Sequence, residues 1–151
     1  MTRTLSGLRG FCAIIVMVVV GMACMAQETK IVVQVLNGKN GKPIANEHLV
    51  VFTGASEDKV KQHKNHAEIR TDAKGVALLS VDERTTSYIQ VWVDWHILCQ
   101  KTPNTQSYSV GDILKGGSST ANNCGTIKEP LEPNKFVVFA RPASFRERMD
   151  Q

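Results

Sequence analysis

From Lys30 to Pro142 the chain is written in short runs of alternating apolar and polar residues that stop at Gly, Asn, Asp or Pro, and no stretch keeps a helical period long enough for a core helix. "KIVVQVLN" sets Ile31, Val33 and Val35 on one face of a strand, and "EHLVVF" resumes that character at Glu47. "AEIRTDAKGVALLSV" reads as two strands around Asp72-Ala73-Lys74-Gly75, with Ala77, Leu79 and Val81 sharing a face. The most aromatic and β-branched segment is "TTSYIQVWVDWHILCQ". Its alternation assigns Ile89, Val91, Val93 and Trp95 to the core, and Tyr88, Gln90, Trp92 and Asp94 to the opposite side. "NKFVVFARP" supplies a last strand, ended by Pro142. Six or seven short strands and two hairpin signals predict an all-β fold, an antiparallel sandwich of about seven strands, with a barrel as the alternative.

The corner between the first two runs, "NGKNGKP", holds the ingredients of a phosphate loop without their order. A Walker loop places four residues before Gly-Lys-Ser/Thr and opens a helix, whereas here Gly41-Lys42 runs into Pro43 and then a strand. Gly38, Gly41 and Pro43 are therefore assigned to a structural turn, as are Asp72 and Gly75 in the second corner. After the second strand, "EDKVKQHKNH" reads as a solvated connection with at most a short exposed helix.

The beginning of the chain follows different physics. "MTRTLSGLRG" carries Arg3 and Arg9 with no acid, and an apolar run from Phe11 to Ala26 follows. This is the pattern of a secretory signal peptide, and a run of about 16 residues is short for a hydrocarbon core that needs roughly 20. The expectation is residues 1–26 as signal, 27–142 as one β-sandwich domain and 143–151 as a polar tail. Cleavage after Ala26 is the favoured outcome, with lipidation of Cys24 or a retained anchor as alternatives. The product would be periplasmic or secreted, without a stable membrane span. Loss of the two arginines lowers the formal charge from +4 to +2. Such a small surplus, with no dense basic stripe, gives no reason to invoke nucleic acid, and no nucleic-acid partner is expected.

In an oxidising compartment the two cysteines left, Cys99 and Cys124, form the one intrachain pair available. The long irregular stretch from Thr102 to Pro133 lies mostly inside that loop and has few apolar residues of its own, so a staple would hold it.

Chemistry is weakly marked. His63 and His66 stand three apart near carboxylates, and Asp94 and His96 could be drawn with a serine, but no G-x-S-x-G, H-E-x-x-H or other spaced constellation occurs. No catalytic residue, cofactor or metal ligand is assigned. The alternative is a small extracytoplasmic hydrolase or metal-binding protein using His96 or His63/His66. Tyr88, Trp92 and Asp94 form the candidate binding surface, suited to stacking a sugar ring or anchoring an envelope protein, unless the Thr102 to Pro133 segment covers it.

"VVQVLNGKNGKPIANEHLVVFTG" followed by "TDAKGVALLSV" resembles the transthyretin-like, carboxypeptidase-regulatory-like modules of bacterial envelope and secreted proteins, through Gly41, Pro43 and Ile44 and then Thr71, Asp72, Gly75 and Ala77. The resemblance covers roughly Lys30 to Val81. It implies a prealbumin-like or immunoglobulin-like sandwich serving as a non-catalytic structural or binding unit. The C-terminal Tyr-Arg-Gly-Ser signature of the related hydroxyisourate hydrolases is missing, so their catalytic residues are not carried over.

Overall fold

A computed structural model of the chain describes residues 28–102, 105–144 and 147. The expected signal segment, Cys24 and most of the expected tail lie outside the described residues. In chain order the elements are β1 (Glu28–Asn37), β2 (His48–Gly54), α1 (Glu57–Lys61), β3 (His66–Arg70), β4 (Val76–Asp82), β5 (Tyr88–Val93), β6 (His96–Leu98), β7 (Tyr108–Ser109), α2 (Val110–Gly116), β8 (Ser118–Ser119) and β9 (Lys135–Pro142).

The strands form two sheets. One is ordered β4-β1-β9-β6 with β8 also on β9, and the other is ordered β3-β2-β5-β7. The fold is all-β and two-layered with one disulfide, but it is mixed rather than antiparallel, and nine strands stand among the described residues. β1 runs parallel to β9 from Val32↔Lys135 to Asn37↔Ala140, and β8 is also parallel to β9. Parallel neighbours need a long connection, and here nearly the whole chain separates the first strand from the last.

Both predicted hairpins are instead corners between the sheets. The turn at Asn37–Lys42 closes tightly, with Asn37 N–H donating to Lys42 O and Gly41 N–H to Asn37 O, and Gly41 takes φ +70°. Ile44 N–H still reaches Val35 O, after which the chain crosses and β2 pairs with β3 and β5. The Asp72–Gly75 turn does the same between β3 and β4. Asp72 Oδ1 accepts from Lys74 and Val76 N–H, and Gly75 takes φ +72°. A Cβ on Gly75 would lie 2.8 Å from Val35 O, so the two corners touch there through bare backbone.

Ile31, Val33, Leu49, Val51, Leu79, Ile89 and Phe136 meet between the layers with almost no exposure. Each such side chain contributes about 1.5–3 kcal/mol through burial. Val110 and Ile113 of α2, with Tyr108, complete this core. A smaller cluster lies on the outer face of the first sheet. Leu36, Val137 and Phe139 are covered there by Cys99, Cys124 and Ile127. The part of the Thr102 to Pro133 segment around Cys124 and Ile127 thus covers the outside of the β1/β9 sheet, while Tyr108, Val110 and Ile113 of the same segment enter the core, and none of these lies over the Trp92 face.

That other face has its own cover. α1, capped by Ser56, buries Val60 completely, and a Cβ on Gly54 would meet Val60 N at 2.8 Å. The segment expected to be solvated is therefore docked on the second sheet. Gln90, expected to point outward, is only 2% exposed because His63 lies over it, Nε2 to Oε1 at 3.2 Å.

Candidate functional site

Trp95 departs most from the alternation. It was assigned to the core, yet it is 69% exposed. β5 ends at Val93, and residues 94 and 95 carry the chain across to β6 in the other sheet. Strand parity does not survive such a crossing.

The loop that presents this indole is held from below by two consecutive residues at the mouth of β2. Successive side chains of extended backbone point in opposite directions, so Glu47 and His48 reach opposite sides of the loop. Glu47 is 1% exposed. Its Oε2 accepts from His96 Nδ1 at 2.6 Å and its Oε1 accepts the Trp95 N–H at 2.9 Å. Its own N–H donates to Thr71 Oγ1, whose hydroxyl passes on to Ile44 O. The buried acid is therefore satisfied on both oxygens, as a desolvated carboxylate must be.

His48 bonds through Nδ1 to Asp94, and its Nε2 lies 3.4 Å from Glu68. Asp94 N–H donates back to His48 O. The hydrogen bond to Asp94 raises the His48 pKa above its ordinary 6.5, burial opposes this, and the charges of Asp94 and Glu68 add to the rise. Two crossed acid–imidazole pairs, Glu47 with His96 and His48 with Asp94, thus clamp the residues on either side of Trp95. The result is a large exposed aromatic side chain on a tethered backbone, with ionisable groups on both sides of it in sequence.

The sequence-based surface is divided by the fold. Asp94 belongs to the clamp. Trp92 packs edge-on against Phe52 and His63, each with ring centroids 4.9 Å away, and its indole nitrogen is buried without a hydrogen-bond partner. Tyr88 is at the far end of β5, opposite Gly54 and Ser109. His63 and His66 take different partners, Gln90 for the first and Glu68 at 3.7 Å for the second. Among the described residues no group of three or more His, Cys, Asp or Glu is arranged to hold a metal ion. No helix among them is long and apolar enough to cross a membrane.

Glu47, His48 and Trp95 escaped the sequence reading. The available signal was "DWH", a strand-like run interrupted by an acid and a base flanking an indole, and the adjacent pair in "NEHL". Comparison of the chain with protein-family models, curated proteins and solved structures returns no match.

Proposed function

We propose that this chain is an exported, non-catalytic binding module of the prealbumin-like, carboxypeptidase-regulatory type, and that it holds an extracytoplasmic saccharide through the Trp95 loop. The carrying observation is the exposed Trp95 on a loop clamped by Glu47–His96 and His48–Asp94. An indole face stacks on the C–H face of a sugar ring, while neighbouring carboxylate and imidazole groups exchange hydrogen bonds with hydroxyls. Because the clamp holds the loop already in place, less ordering cost falls on binding. Among the described residues the other exposed large apolar side chains, Leu78 and Leu131, lie on β4 and beyond the disulfide-closed loop, and the residues flanking Trp95 are ionisable. That surround suits a polyhydroxylated ligand better than an apolar protein anchor. The leader pattern and the disulfide support export. The strand order supports the prealbumin-like reading over the immunoglobulin-like one, since in the latter the first two strands share a sheet.

The hydrolase reading has the Glu47–His96 pair in its favour, which orients an imidazole as a general base is oriented. Among the described residues no hydroxyl or thiol is hydrogen-bonded to that ring, which favours the binding role. A soluble oligosaccharide array, followed by titration of tryptophan fluorescence, tests the proposal. Wild type binds a saccharide class and Trp95→Ala loses about 1–2 kcal/mol of affinity with an unchanged unfolding midpoint. Equal binding by the two proteins, or binding by neither, overturns it.

A further inference from the structure

A second feature of the same end of the sandwich is a cavity of about 640 Å³ beside the Asn37–Lys42 corner, bordered by Asn37, Lys39, Asn40, Asn123, Arg141 and Ser144. Its size falls within the range of small-molecule sites, about 300–1,000 Å³. Its chemistry is one-sided. Asn37 Oδ1 accepts Lys39 N–H and Asn40 Oδ1 accepts Lys42 N–H, both at 3.0 Å. The acceptor halves of both carboxamides are therefore engaged, and their NH₂ groups remain as donors. The nearby backbone carbonyls are engaged as well. Those of Asn37, Lys42, Ala140 and Cys99 accept from Gly41, Asn37, Gly38 and Asn123 N–H.

The lining contains no acid. Glu147 stands behind it, bound by both Arg141 Nη atoms and by Ser144 N–H, and Arg141 holds its carboxyl well below the usual range. The Arg141–Glu147 pair is close to neutral as a unit, which leaves Lys39 as the net charge at the rim. It is exposed and has no acidic partner among the described residues.

We infer that this cavity is a binding site for an oxyanion-bearing small ligand, held by the Lys39 ammonium and by the carboxamide donors of Asn37 and Asn40, with Asn123 at the rim. The corner does so without Walker geometry. Side-chain amides fixed by the two asparagine turns take the place of a glycine-loop backbone, and a charge-assisted bond from Lys39 supplies the anion preference. This site does not depend on Trp95.

The test is an amide-detected NMR titration of the mature protein at constant ionic strength with sodium D-glucuronate, inorganic phosphate and neutral D-glucose. Saturable shifts at Asn37, Lys39, Asn40 and Asn123 with the anions, and none with glucose, are expected. Lys39→Gln weakens binding by about tenfold with unchanged melting temperature, and Asn40→Ala, which also removes the turn bond to Lys42 N–H, weakens binding by a smaller factor with a slightly lowered melting temperature. Tighter glucuronate than phosphate identifies a sugar acid as the source, and equal affinities identify a free oxyanion. Shifts that are linear without saturation, that appear only around Trp95, or that persist unchanged in Lys39→Gln overturn the inference.

Discussion

Glu47 and His96 meet at 2.6 Å across 49 positions of sequence, the acid buried to 1% exposure at the mouth of β2 and the imidazole at the start of β6. The contact ties one sheet to the other, and through the second carboxylate oxygen it also sets the backbone of Trp95. Replacing Glu47 with Ala leaves the His96 Nδ1–H and the Trp95 N–H without their acceptor, so stability should fall by about 2–4 kcal/mol. Urea unfolding checks this. A loss below about 1 kcal/mol would mean that water replaces the carboxylate and that the clamp is not structural.

His48 should make stability depend on pH in a defined direction. Its folded pKa is raised, chiefly by Asp94, so the protonated form is favoured by folding. The contribution is complete below the unfolded value near 6.5 and fades as pH rises through the folded value. The His48 ring resonances should titrate with a midpoint above 6.5, and Asp94→Asn should lower that midpoint. A midpoint at or below 6.5 in wild type would contradict the pairing.

The Cys99–Cys124 bridge closes a separation of 25 residues around a loop whose middle is anchored in the core by Tyr108, Val110 and Ile113. The chain-entropy model gives about 3–4 kcal/mol for such a loop. Reduction, or Cys99→Ser with Cys124→Ser, should lower the unfolding free energy by that amount. Backbone amides around Ile127, which packs on the outer cluster of the first sheet, should then exchange faster with solvent. Equal exchange in both forms would mean that the segment holds without its staple.

The glycines of the chain are not equivalent. A Cβ on Gly38 would fall 2.7 Å from Cys99 Sγ and 2.4 Å from Asn122 Oδ1, so Gly38→Ala should cost about 1–3 kcal/mol by forcing the corner off the disulfide. Gly116, at the end of α2, has nothing within 4 Å of its Cβ position. There Gly→Ala should be neutral or stabilise by up to about 1 kcal/mol. Comparing the two melting temperatures checks the difference, and a Gly38→Ala protein as stable as wild type would remove the packing role.

Strand positions were legible because alternation reports burial directly. Ile31, Val33 and Val35 are fully buried, as are Leu79 and Ile89. Strand partners were not legible in the same way. The residues around Asn37–Lys42 specify a reversal, and the same local turn can precede a hairpin or a crossing. The choice is settled by which strand takes the β1 edge: β4 pairs there from Glu28↔Asp82 to Gln34↔Val76, and Gly75 O takes the Val35 N–H. Trp95 and Gln90 were misplaced for related reasons. One lies where a strand leaves its sheet, and the other beneath a helix whose charged sequence, Val60 excepted, gave no apolar stripe.

The amino-acid sequence alone determined that this chain folds as β-strands, which faces of β1 and β4 turn inward, and that it reverses at Asn37–Pro43 and Asp72–Gly75, and it led to the expectation of the Cys99–Cys124 pair that the structure shows. Those are consequences of period, backbone freedom and residue count, all of them local or nearly so. Only the tertiary structure decided that the sheets are mixed, that the Thr102 to Pro133 segment is divided between the core and the outside of the β1/β9 layer, and that Glu47 and His48 hold the Trp95 loop. Those outcomes depend on which distant backbone occupies each strand edge, and two residues 49 positions apart carry no mark of their contact until both sheets are in place.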